Sequence, residues 1–158
     1  MLVDLSRDPL KWFLLERQKR AVTSVEVVRV EELNTGMENE CLENAWKLKQ
    51  ELNVPMVSGC LYHKVKPYLG IFVQHWWNCD TTKNKHLDPN PGIESSAIHV
   101  LDLDLAVESL KKYNELKVYR SLACFRGQFF YYEGPPNREE NEDHLKPISD
   151  LSTSRLIS

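Results

Sequence analysis

The chain has 158 residues, 42% of them hydrophobic, 27% charged and 9% aromatic, with a net charge of −3 and a pI near 6.0. That length suits one domain able to bury a real core, and the composition excludes an intrinsically disordered chain. No basic stripe is present, which argues against nucleic-acid binding, and no apolar run approaches the ~18 residues that a membrane span needs.

Met1 to Lys11 carries acids early and lacks an uninterrupted apolar stretch, so it does not read as a secretory signal. Asp8-Pro9 reads as an N-cap followed by proline at the first helical position, and Leu10, Phe13 and Leu14 make a short apolar stripe, predicting a helix near 8–19. Thr23 to Val30 is β-branched and predicts a strand; Asn34-Thr35-Gly36 marks a loop. A second helix is expected from Asn39, as N-cap, to about Leu52, with Cys41, Ala45, Leu48 and Leu52 on one face. Asn53-Val54-Pro55 ends it. Met56 to Tyr62 predicts a strand, Pro67 to Gly70 a turn, and Ile71 to Asn78 the clearest strand, with Ile71, Val73, His75 and Trp77 on one face. After a polar turn, Asp80 to Lys85, a short return strand is expected at His86 to Asp88, closed by Pro89-Asn90-Pro91-Gly92. Ala97 to Asp102 reads as a strand and Asp104 as the cap of a helix through Tyr113. Lys117 to Phe125 and Gln128 to Glu133 flank Arg126-Gly127 as a hairpin. The expected organisation is a single domain over 1–136 and an acidic, mobile tail over 137–158.

Three of these residues carry chemistry. Cys41 falls in the first turn of its helix, where free backbone N–H groups and the positive dipole end stabilise a thiolate and can hold a forming oxyanion. His75 lies mid-strand and Asp88 opens the Asp-Pro exit from the next strand. A hairpin centred between Thr81 and Thr82 sets His75 and Asp88 opposite each other on one face, with Cβ atoms ~5 Å apart. Thiol, imidazole and carboxylate in this setting are the parts of a cysteine nucleophile, its base and its orienting acid.

Cys41-Leu42-Glu43-Asn44-Ala45, Val57-Ser58-Gly59, His75-Trp76 and Leu87-Asp88-Pro89 together resemble the transglutaminase-like branch of the papain-like cysteine superfamily, over roughly residues 39–91. The resemblance implies Cys41 as nucleophile, His75 as base and Asp88 as orienting acid. Cys41-Leu42-Glu43-Asn44 is also similar to the cysteine motif of arylamine N-acetyltransferases, which share that core; the glutamate matches, the asparagine comes one residue early, and the preceding Arg-Gly-Gly is absent. The fold expected is α+β, with the Cys41 helix packed on an antiparallel sheet bearing His75 and Asp88.

Other patterns admit other readings. Cys60-x2-His63 followed by His75-x3-Cys79 has zinc-ligand spacing, so a zinc-stabilised interaction domain is a rival reading. Without a signal peptide, Cys41, Cys60, Cys79 and Cys124 read as reduced thiols in a cytoplasmic protein. Trp76 and Trp77 pack the sheet or line a substrate cleft. His86 reads as a surface residue. The leading function is a small cysteine hydrolase or acyltransferase acting on an amide, ester or thioester. It would take a protein or small-molecule acyl substrate, with no nucleic acid, no membrane and no metal or organic cofactor. The alternative is a non-catalytic binding or inhibitor module on the same scaffold.

Overall fold

The structure, a computed structural model, describes residues 8–19, 24–38, 40–104, 121–125, 128–132 and 145–147. Its elements in chain order are α1 (Pro9–Gln18), β1 (Val25–Val28), β2 (Val30–Glu32), α2 (Cys41–Leu52), β3 (Met56–Lys66), β4 (Leu69–Asp80), β5 (Lys85–Asp88), β6 (Ile98–Asp102), β7 (Ser121–Phe125), β8 (Gln128–Tyr132) and β9 (Leu145–Pro147). The fold is α+β.

The strands form one sheet, in the order β1-β6-β3-β4-β7-β8-β9, with β5 on the free part of the β4 edge and β2 beside β5. All pairs are antiparallel except β2 with β5, so the sheet is mixed, not antiparallel as the sequence suggests. Only Arg29 separates β1 from β2, yet β1 pairs with β6 and β2 with β5. The sheet therefore curls until β1–β2, β6, β3, β4 and β5 close into a ring. Gly59 permits the curl. A Cβ there would strike the Val100 carbonyl oxygen and sit 2.8 Å from the Asp102 nitrogen.

Side-chain alternation gives the ring two distinct faces. One carries Cys60, Tyr62, Phe72 and Val100, which form the main core with Phe13 of α1 and with Val25 and Cys124. Phe13 stacks on Phe72 with ring centroids 4.1 Å apart. Asp8 starts α1 by accepting the Lys11 N–H, and Pro9 occupies its first turn. Arg17 then anchors the helix: its guanidinium forks onto the fully buried Asp102 at 2.7 and 3.2 Å. The other face carries His75, Trp77 and His99, turned toward the inside of the ring. Helix α2 lies against β4, where buried Asn78 donates to the carbonyls of Ala45 and Val54 at 2.9 and 3.1 Å.

Several expectations are revised. The first strand breaks at Arg29 because its halves pair with different partners. Glu40, not Asn39, occupies the N-cap of α2; Asn39 itself lies outside the described residues. Leu52 is exposed, since it sits in the last turn where α2 leaves the sheet. The β4–β5 register pairs Asn78 with Leu87 and Asp80 with Lys85, two residues away from the expected pairing of His75 with Asp88. An even slide keeps every side chain on its face, so Asp88 stays on the His75 face as a diagonal neighbour. Strand β9 joins β8 within the stretch expected to be a tail. The helix expected from Asp104 shows its first residues at Leu103 and Asp104; the rest of it, Arg126-Gly127 and most of 137–158 lie outside the described residues.

Candidate active site

Three strands, β4, β5 and β6, meet at one buried carboxylate. Asp88, fully buried at the end of β5, accepts His75 Nε2 at 2.7 Å and His99 Nε2 at 2.7 Å, both on Oδ2. Its other oxygen, Oδ1, accepts the Asn90 backbone N–H at 2.9 Å and the Asn90 side-chain amide at 2.6 Å. Four donors thus fill the roughly four acceptor sites of a carboxylate. Burial works against the charge of Asp88, but the bonds from His75 and His99, the His75 charge and the Asn90 N–H outweigh it and hold the carboxyl well below its usual range.

His75 also lies within hydrogen-bonding reach of Cys41. Burial pushes its imidazole toward the neutral form. Hydrogen bonds to Asp88 and Cys41, with their charges, push the other way and raise it to about 9. Cys41 is the first residue of α2 and is half-buried, the most accessible member of the group. Glu40 makes no side-chain capping bond, so its side chain does not close off the first-turn N–H groups.

A second chain of bonds ties the thiol helix to the carboxylate. Asn44, one turn after Cys41, donates to Asn90 Oδ1 at 2.8 Å and to the Met37 carbonyl at 2.7 Å, and accepts the Met37 N–H at 3.0 Å. Asn90 donates onward to the Trp76 carbonyl at 3.0 Å as well as to Asp88. Gly36 packs so tightly on Asn44 that a Cβ there would overlap its amide, and the Gly36 N–H is bonded to the Pro89 carbonyl at 2.7 Å. The loop before α2 and the loop after β5 are therefore one braced unit.

The structure thus gathers Cys41, His75 and Asp88 in one place. Trp76 and Trp77, expected either to pack the sheet or to line a cleft, are both buried. Trp76 is 2% and Trp77 0% exposed, and both are packed within the sheet. Trp77 instead walls the cluster, its ring 5.9 Å from His75 and 5.1 Å from His99 between centroids. Its Nε1 donates to His86 Nδ1 at 3.0 Å, so His86 is half-buried and engaged, not a free surface residue. The zinc-spaced set does not assemble: Cys60 points into the main core, on the opposite face from His63 and His75. Among the described residues the ligand atoms that do converge are those of His75, Asp88 and His99, all within 4.8 Å of one another. That spacing could hold a cation; each Nε2 lies 2.7 Å from Asp88 Oδ2, a distance that also fits a hydrogen bond.

Sequence reasoning passed over His99, Asn90 and Asn44. The signals were present but slight: a histidine inside a β-branched strand, an asparagine between two prolines, and an asparagine three residues after the thiol on the same helix face. Comparison with protein-family models, with curated proteins and with solved structures gave no match.

Proposed function

We propose that the protein is a small cysteine hydrolase or acyltransferase acting on an amide, ester or thioester, built on a transglutaminase-like core of the papain-like superfamily. The observation that carries this reading is His75, bonded to buried Asp88 and within reach of half-buried Cys41 at a helix N-terminus. In this reading Cys41 reacts as a thiolate beside a protonated His75. The sulfur attacks the carbonyl carbon, and the oxyanion develops near the Cys41 backbone N–H. His75 gives its proton to the departing amine, alcohol or thiol as the tetrahedral intermediate collapses to the acyl-enzyme. Water or a second acceptor then loses a proton to His75 as it attacks the thioester, restoring the thiolate. Asp88 keeps the imidazole oriented throughout. The acceptor decides between hydrolysis and transfer.

The test is an electrophilic thiol probe of the acyl type, read by intact mass and peptide mapping. A single adduct on Cys41, absent in Cys41→Ala and strongly slowed in His75→Ala, supports the reading. Equal labelling of all four cysteines overturns it, as does full biological function in Cys41→Ala.

A further inference from the structure

We propose that His99 is a fourth member of the constellation, a positioning residue that acts on His75 through their shared oxygen on Asp88. The inference rests on the thiol chemistry proposed above. The two imidazoles approach Asp88 Oδ2 at the same 2.7 Å, from β4 and from β6. His99 is not needed to hold the carboxylate in place, since Asn90 already fixes Oδ1 with two donors. Its distinct effect is on charge. A second N–H on Oδ2 spreads the negative charge of that oxygen, so the carboxylate draws less strongly on the His75 proton. The triad proton is thereby held loosely enough to be given to a leaving group.

The surroundings keep His99 in this role. Its ring is buried and braced edge-on by Trp77, with His75 5.6 Å away between centroids. Among the described residues, the charged and titratable groups near the pair include Asp88 and His86 from β5, Cys41 from α2 and His63 from β3, the last set 3.8 Å from Glu94, with Glu26 acting on His86. His99 also borders a cavity of about 520 Å³ near the β1–β2 break, lined by Arg29, Glu32 and apolar residues including Val28 and Ile98.

The test uses the full chain with ¹⁵N-labelled histidine. Imidazole Nε2–H protons bonded to a carboxylate give separate downfield resonances, and the wild type should show one for His75 and one for His99. His99→Gln keeps an N–H donor within reach of Oδ2, and should leave the His75 resonance and its titration midpoint in place. His99→Leu removes the donor. The His75 resonance should then move further downfield and its midpoint rise by about half a unit or more. Should His99→Leu fail to fold, His99→Asn, whose shorter amide falls short of the oxygen, replaces it. An unchanged His75 signal in His99→Leu overturns the proposal, as do identical spectra for the Gln and Leu variants. Stoichiometric zinc in the purified protein that is lost in His99→Gln also overturns it, since the cluster would then be a metal centre. If Cys41 shows no selective labelling in the wild type, the cysteine chemistry fails, while the His75 resonance still decides the role of His99.

Discussion

Burial alone would strip His75 of its proton, yet Asp88 and Cys41 raise it to about 9, well above the ordinary 6.5 of an imidazole. A group held above its unfolded value stabilises the fold fully below about pH 6.5, and that contribution is lost as pH rises through 9. Asp88 is held below its ordinary 3.8, so its contribution is present above that pH and is lost as pH falls through its lowered value. Urea unfolding of the wild type should therefore show a decline between pH 6.5 and 9 that is much reduced in His75→Gln. Asp88→Asn should cut turnover by orders of magnitude through the wrong imidazole tautomer. It should also destabilise the protein by ~3–5 kcal/mol, because an amide at this fully buried position cannot accept four donors. Thermal melts at pH 6 measure the second effect. Among the cysteines, Cys60 is sealed in the core and burial, with the Asp102 charge adding to it, pushes its thiol far above the usual range; burial also raises Cys79. Brief iodoacetamide treatment at pH 6–7 with peptide mapping should therefore label Cys41 first, and equal rates would contradict this. The trio was legible because its residue types suit their elements: a thiol at a helix start, an imidazole in a strand, an Asp before Pro. His99 was not, because nothing local to Ile98–Asp102 tells that a strand two places across the sheet bends back to the same carboxylate.

Helix α2 shows what element-level patterning can and cannot supply. Its apolar spacing placed Ala45 and Leu48 correctly among the buried residues, while its start lies one residue later than expected, with Glu40 at the N-cap in place of Asn39. The pattern treats every helical turn alike, so it buried Leu52, which the geometry leaves in solvent. It also had no use for Asn44, whose value is entirely tertiary: two bonds to Met37 and one to Asn90. Asn44→Ala should cost ~2–3 kcal/mol, since it orphans buried partners in both loops, and should slow Cys41 alkylation by loosening the thiol helix from the carboxylate loop. A variant that loses stability but keeps the wild-type alkylation rate would show that the brace holds the fold without holding the site. The β4–β5 hairpin carries a related lesson. Asp80 Oδ1 accepts Thr82 N at 3.1 Å, and this local turn, with Asn84 in the left-handed region at φ 50°, fixes a register that the alternation of side chains leaves free by steps of two.

The ring of strands is the level at which the sequence was least informative. Pairing β1 with β6 and β2 with β5 joins segments far apart along the chain, and no local pattern encodes which strands will be neighbours. Gly59 was read only as part of a motif, yet its lack of a side chain leaves room for the Val100 carbonyl of β6. Gly59→Ala should therefore lower the melting temperature sharply or prevent folding, because its Cβ meets backbone that cannot step aside, and circular dichroism of the variant would register this. Gly92, where a Cβ would meet nothing within 4 Å but φ is 74°, should tolerate alanine at a much smaller cost. Closure of the ring also sets the chain's behaviour while it is open. Cys41 meets its base only when α2, β4 and β5 are assembled, whereas Cys60 and Cys124 are hidden only while the core is intact. Loss of structure must then slow one thiol and quicken two others, all converging on the rate of an ordinary cysteine. A urea series with pulsed alkylation would read this crossing from a single unmodified chain, an internal gauge of folding that needs no added label.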